Sequence, residues 1–432
     1  MNMNLFGHDD QWLMVDCGAT FQSALRQEDD DNPRAKTHDV VCADPTFIEN
    51  RQHLLVGIVL THAHEDHIGA IPALIERFKC PIYATPFTAE VLRRKLYQVD
   101  KGHIVNIIEV STKQAIQIGH FGVTWLDITH SLPEANAMFI ETKAGSIFHT
   151  ADWKIDKDPV VGKPFNIDVF KNLKDRKPLA MICDSTNALK PGYSLSEAGC
   201  EKGLLKLTQQ STGRVVVSCF GSNVARLITL ARVAKNTGRY MTLLGRSLEN
   251  MYSIAKAKGI WPDDLTLAHR RHIGYLPKHE VLIVATGSQG ENRAALGKLA
   301  NDSHRDCELE KGDTVIFSSI TIPGNEKPIQ KMVTFLQEKG VTVFQSETCD
   351  LQIHASGHPC QQDLHDMYAW IMPKIAIPTH GQATHMASNA KVAQAAGVQR
   401  QMTGTNGDLF MLTPLPSVKR GVVSVGRIDI SR

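Results

Sequence analysis

Thr61-His62-Ala63-His64-Glu65-Asp66-His67 follows directly on Leu54-Leu55-Val56-Gly57-Ile58-Val59-Leu60 and precedes Ile68-Gly69-Ala70-Ile71-Pro72-Ala73-Leu74-Ile75. The apolar run reads as a short buried strand, and the residues after the loop start a helical pattern. Four potential metal ligands thus share one strand-to-helix loop. In an extended segment side chains alternate, so His62, His64 and Asp66 are expected on one side, with His67 turned toward a second ion. Imidazole nitrogens suit zinc and similar ions, and a carboxylate adds a hard oxygen. A single His and Asp in a loop would read as solvated polar residues; H-x-H-x-D-H behind a buried strand does not.

Working outward, the same design recurs. Val123–Thr129 reads as a strand with His130 at its end. Ser146–Thr150 leads to Asp152, Met181–Cys183 to Asp184, and Lys374–Thr379 to His380. Carboxyl ends of strands are where open sheets collect their sites. His62, His64 and His130 can take one ion, and Asp66, His67 and His380 a second. Asp152, with two oxygens, is the natural bridge. Such a pair of ions makes water nucleophilic near neutral pH and stabilises charge on a phosphoryl oxygen. Asp66 is also placed to orient the attacking water.

The 432 residues suffice for two or three domains. Apolar residues make up 42% and charged residues 21%, ordinary for a globular protein. No apolar run approaches the ~20 residues of a membrane helix, and the N-terminus lacks a secretory pattern. Nine cysteines without a C-x-x-C pair point to reduced thiols and a cytoplasmic protein. The run Glu28–Arg34 reads as a surface loop. From about residue 200, strands and helices alternate through Val215–Val217, Tyr240–Leu244, Val281–Ala285, Val315–Phe317 and Val341–Phe344, the pattern of a parallel α/β unit. Ten Lys/Arg against three Asp/Glu between Gly213 and Arg271 leave a surplus of seven positive charges. That surplus suits a phosphate-binding surface and equally suits solvated helix faces. Asn406-Gly407-Asp408 is a hairpin signal.

Taken together, His62-Ala63-His64-Glu65-Asp66-His67, His130 in His-Ser-Leu-Pro, Asp152, Asp184 in Asp-Ser-Thr-Asn, His358 in His-Ala-Ser-Gly-His and His380 in Pro-Thr-His-Gly resemble the β-CASP nucleases of the metallo-β-lactamase superfamily. Within them the ribonuclease J family is the nearest likeness. Phe220-Gly221-Ser222-Asn223 and Thr286–Glu291 resemble it too. The resemblance implies an α/β fold, a metallo-β-lactamase αββα sandwich with an inserted parallel α/β β-CASP domain. The sandwich would occupy 1–204 and 346–432, the insert 205–345. It implies two Zn²⁺ per chain, or another divalent ion. It further implies hydrolysis of RNA phosphodiesters, both 5′-to-3′ and internally, on 5′-monophosphorylated single strands. His358 would contact the scissile phosphate or protonate the leaving oxygen, with Asp184 holding its imidazole. Ser222, His354 and Ser356 would meet RNA phosphates, although Ser222 suits a helix N-cap as well. Family members carry a further small C-terminal domain linked to dimerisation, and this chain stops at about its start, so a homodimer is expected to be weakened. Gln382 stands where Glu commonly follows His-Gly. A small-molecule esterase or lactonase on the same scaffold, or a non-catalytic RNA-binding subunit, are the rival readings. The esterase reading leaves the insert and His358 without a role.

Overall fold

A computed structural model describes residues 1–21 and 40–431. The run Glu28–Arg34 lies outside the described residues. Two mixed sheets face each other. One orders its strands Asn4–His8, Gln11–Val15, Leu55–Val59, Ile82–Ala84, Ile107–Glu109. The other orders Arg400–Gln401, Ile375–Thr379, Ala180–Asp184, Gly145–His149, Asn136–Thr142, Phe121–Asp127, Ala115–Ile118. Alternation along the strands sends Leu13, Val15 and Val59 from the first sheet against Val123, Trp125, Met138 and Ile140 from the second, forming the inner core. Helices Pro86–Gln98 and Gln361–Ile371 bury their apolar stripes in clusters on the outer faces. The result is the four-layer helix–sheet–sheet–helix sandwich that the motifs implied.

The sandwich is interrupted. Ala180–Asp184 and Ile375–Thr379 are hydrogen-bonded parallel neighbours, yet a whole second unit lies between them in sequence. That unit is a five-stranded sheet ordered Tyr240–Leu244, Val281–Ala285, Val215–Ser218, Thr314–Phe317, Thr342–Gln345, every pairing parallel. Strands buried on both faces read as continuous Val/Ile runs, as Val215-Val216-Val217 and Val281–Ala285 do.

Several local expectations change. The residues after the ligand loop form three short turns, Glu65–Ile68, Ile71–Leu74 and Ile75–Arg77, not one helix. Pro72 sits in the first turn of the second piece, where its missing N–H is harmless but forces a fresh start. Asn406-Gly407 makes a turn but does not join a hairpin. The antiparallel pair there is Leu409–Met411 with Ser417–Lys419, connected through 412–416. Asn4–His8, not expected as a strand, pairs antiparallel with Gln11–Val15 around Asp9 and Asp10, both at positive φ. All nine cysteines are unpaired, and seven are buried. No helix among the described residues is long and apolar enough to cross a membrane.

Candidate metal centre

The ligand loop begins where the Leu55–Val59 strand runs out. His64 has an extended conformation (φ −71°, ψ 153°), so His62 and His64 do share a side. Alternation stops there. The His64 carbonyl accepts from the backbone N–H of His67 and Ile68, both at 3.0 Å, and starts a helical turn. That turn, not extended pleating, swings Asp66 and His67 toward a second position.

Two clusters result, sharing Asp152. His62, His64, His130 and Asp152 bring one ligand atom each within 4.8 Å of one another; so do Asp66, His67, Asp152 and His380. In the first, His62 Nε2 lies 3.0 Å and His130 Nε2 3.1 Å from His64 Nδ1. Neighbours set the tautomers. His130 Nδ1 donates to the Gly357 carbonyl at 2.6 Å. Thr61 Oγ donates to Asp16 at 2.8 Å and so accepts from His62 Nδ1 at 2.9 Å. Both rings therefore turn an unprotonated Nε2 inward. Burial pushes the pKa of His62 and His130 well below the usual imidazole value, and the neighbouring imidazoles add to the fall. Burial likewise takes His64 down to about 4. Three converging neutral imidazoles, two of them with lone pairs turned inward, beside a buried carboxylate make a poor hydrogen-bonded cluster and a good cation site.

The second cluster is balanced by protons. His67 Nδ1 donates to Asp16 at 2.7 Å, and its Nε2 faces Asp152 at 3.3 Å and Asp66 at 3.5 Å. His380 pairs with Asp152 at 2.7 Å and Asp66 at 3.3 Å. Burial lowers both imidazole pKa values, but the carboxylates outweigh it: His67 ends raised, and His380 rises to about 10. Burial raises Asp152, but His380, His67 and His358 pull its pKa well below the carboxylate range. A dication at this point would stand in for the imidazole protons of His67 and His380 that face Asp152 and Asp66, which also fits the donor set.

Beside both clusters, His358 Nδ1 donates to Asp184 at 2.7 Å. Asp184 is buried and is held by the backbone N–H and hydroxyl of Thr186, at 2.8 and 2.6 Å. Asn187 donates to Ser356 Oγ at 2.8 Å and to the His358 carbonyl at 3.3 Å, tying down the segment that carries the imidazole. Ser356 thus stands next to the site. His354 turns away from it: its Nδ1 meets the Ser318 carbonyl at 3.3 Å, its Nε2 is buried without a partner, and burial brings its pKa to about 3. Ser222 ends the loop after Val215–Ser218, but the N-cap of helix Val224–Asn236 is Asn223, whose side chain accepts from the Arg226 N–H at 2.9 Å.

Some residues were missed. Asp16 anchors both Thr61 and His67 and stands, like the ligands, at a strand's carboxyl end, so the same rule would have found it. Asn2 reaches His67 Nε2 at 3.0 Å, and nothing local signals this. Gly357 is required by close approach, since a Cβ there would lie 2.5 Å from the His130 ring. Part of the basic surplus in 213–271 is spent internally. Arg226 and Arg239 are buried, and Arg214, Arg226 and Arg232 reach the acidic partners Asp313, Glu197 and Glu201 outside the stretch.

Family models match three segments: a beta-lactamase superfamily domain over residues 11–169, the ribonuclease J beta-CASP domain over 212–336, and a Zn-dependent metallo-hydrolase RNA specificity domain over 351–402. The chain is 36% identical to ribonuclease J of Sinorhizobium meliloti, covering 99% of this chain and 75% of that protein. It is 33% identical to ribonuclease J of Mycolicibacterium smegmatis with the same coverage, and 31% identical to ribonuclease J2 of Bacillus subtilis over 87% of this chain and 66% of that one. A crystal structure of a protein of unknown function from Enterococcus faecalis superposes with a TM-score of 0.62 at 16% identity, covering 93% of this chain and 94% of that one, and shares the fold. By motif, architecture and sequence identity, the chain belongs to the ribonuclease J family, β-CASP members of the metallo-β-lactamase superfamily.

Proposed function

We propose that the protein is a metal-dependent ribonuclease that hydrolyses RNA phosphodiesters from the 5′ end and internally, acting in the cytoplasm on 5′-monophosphorylated single strands. The observation that carries this reading is the convergence of two His/Asp clusters on Asp152 with the His358–Asp184 pair alongside. His62, His64 and His130 would hold one ion, and Asp66, His67 and His380 the other, with Asp152 between them. Zinc ions bound there would supply Lewis acidity at the phosphoryl group and lower the pKa of water.

The chain's own residues do the rest. Asp66 accepts a hydrogen bond from the attacking water and orients it, the water's proton passing to solvent. His358, its Nδ1 engaged by Asp184, presents Nε2 to the leaving oxygen and gives up a proton as the phosphorus–oxygen bond breaks. Burial lowers the His358 pKa, but Asp184 and Asp152 outweigh it and leave it above the usual imidazole value, the direction that favours the proton-bearing form a general acid needs. Ser356 and Ser222 would bind phosphate oxygens as neutral donors.

The test is digestion of 5′-labelled, 5′-monophosphorylated RNA with and without chelator, beside chromogenic esters. Metal-dependent mononucleotide release and internal fragments support the reading. Ester turnover without RNA cleavage, or RNA retention without cleavage, refutes it.

A further inference from the structure

The chain crosses between sandwich and insert twice, near Glu197 on the way out and near Ile353 on the way back. One guanidinium joins both crossings. Arg226, on the insert helix Val224–Asn236, is 0% exposed. Its Nε and Nη2 form a fork onto Glu197 at 2.6 and 3.1 Å. Its Nη1 donates to the carbonyls of Ser318, at the end of an insert strand, and Ile353, at 2.8 and 3.1 Å. Ser318 Oγ also contacts this Nη1 and donates to the Ile353 carbonyl at 2.6 Å. On the sandwich side Glu197 continues the network, its backbone N–H donating to Asp156 at 3.0 Å. Asp156 in turn pairs with Lys154 at 2.9 Å, two residues beyond Asp152.

Helix packing alone does not need such a group, because replacing a buried ion pair with apolar residues of similar volume is often neutral or stabilising. What the fork adds is direction. A planar guanidinium with its donors occupied fixes three segments at set angles, which an apolar contact does not. The segment it holds at Ile353 runs on through Ser356 and Gly357 to His358, and Gly357 in turn orients His130. We infer that Arg226 is a positioning residue for cleavage, which through Ile353 holds the His358 segment in register with the metal-ligand face. This inference rests on the ribonuclease reading.

Three variants test it, each scored for melting temperature, metal content, kcat and KM on 5′-monophosphorylated RNA. The first pairs Arg226→Met with Glu197→Leu, so that no buried charge is left alone. The second, Arg226→Lys, keeps the charge and loses the fork. Ser318→Ala removes a single hydroxyl and keeps the test open should the larger changes not fold. The paired variant and Arg226→Lys are expected to retain wild-type metal content and a KM within about threefold, while kcat falls about tenfold or more, as small misplacements at a reacting centre do. Ser318→Ala is expected to lower kcat about threefold on the same scale. Wild-type kcat in the folded, metal-loaded variants overturns the inference, as does a loss of kcat that merely follows lost metal. Wild-type protein that leaves RNA intact would instead refute the ribonuclease reading itself.

Discussion

His358 Nδ1 lies 2.7 Å from a carboxylate oxygen of Asp184, although the two are separated by the entire inserted sheet. The contact fixes one ring nitrogen and leaves the other for substrate. His358→Ala and Asp184→Asn are therefore expected to slow RNA cleavage by about 10²–10⁴-fold, the usual worth of a positioned general acid. Metal analysis of both variants should match the wild type. These two residues also approach Asp152 and His380 closely enough to form a third ligand group. Loss of bound metal in either variant would reassign them to coordination.

His64 makes the opposite case. Its Nδ1 sits at the meeting point of His62 and His130. His64→Ala should lose about one ion per chain, with cleavage falling alongside, because a site reduced from four donors to three binds zinc far more weakly. Full metal occupancy with normal turnover would contradict the proposed coordination.

Gly18 tests the packing beneath the loop. A Cβ at this position would lie 1.6 Å from the Asp66 carbonyl oxygen, and that backbone also accepts from Asn2 N–H at 2.7 Å. Gly18→Ala must displace the turn that carries Asp66 and His67. Overpacking costs about 1–3 kcal/mol, occasionally more. Thermal unfolding should show a lowered midpoint and metal analysis a deficit; a variant with wild-type values for both would contradict the close approach.

Asp156 gives a pH signature remote from the ligands. Burial raises its pKa, but Lys154 and the donors from Glu197 and Ser196 outweigh it and hold the carboxyl below its usual value. A depressed folded pKa means that the stabilisation is complete above the unfolded value of about 3.9 and fades as pH falls through the folded one. Asp156→Asn should cost about 3 kcal/mol at pH 7, as breaking a buried pair does. Denaturant titrations should show the gap unchanged down to about pH 5 and closing below about pH 4. A pH-independent gap would rule out the charge as its source.

Much of the candidate site was legible because its residues obey one local rule: an apolar strand, then a polar side chain at its carboxyl end. His62, His130, Asp152, Asp184 and His380 all follow it. The alternating helices and Val/Ile-rich strands of the insert were legible for the same reason, since full burial on both faces leaves a continuous apolar run. What escaped depends on distant partners. The last strand, Arg427–Asp429, pairs with Val40–Ala43, and no pattern within either segment announces it. Asn4-Leu5-Phe6-Gly7-His8 became a strand through its pairing with Gln11–Val15, not through propensity. Positive charges between Gly213 and Arg271 looked like surface; Arg226 and Arg239 instead satisfy buried carbonyls and a carboxylate. Charge is visible in a sequence, but its burial is not.

The central claim is that these side chains hold two cations next to the His358 imidazole. Anomalous diffraction at the zinc edge from crystals of the zinc-loaded protein tests it most directly. Two peaks about 3.5–4 Å apart are expected, the usual spacing of paired catalytic metals. One should touch His62, His64 and His130, the other Asp66, His67 and His380, with Asp152 reaching both. No peak at these residues, or a single ion with His380 left unengaged, would contradict the account.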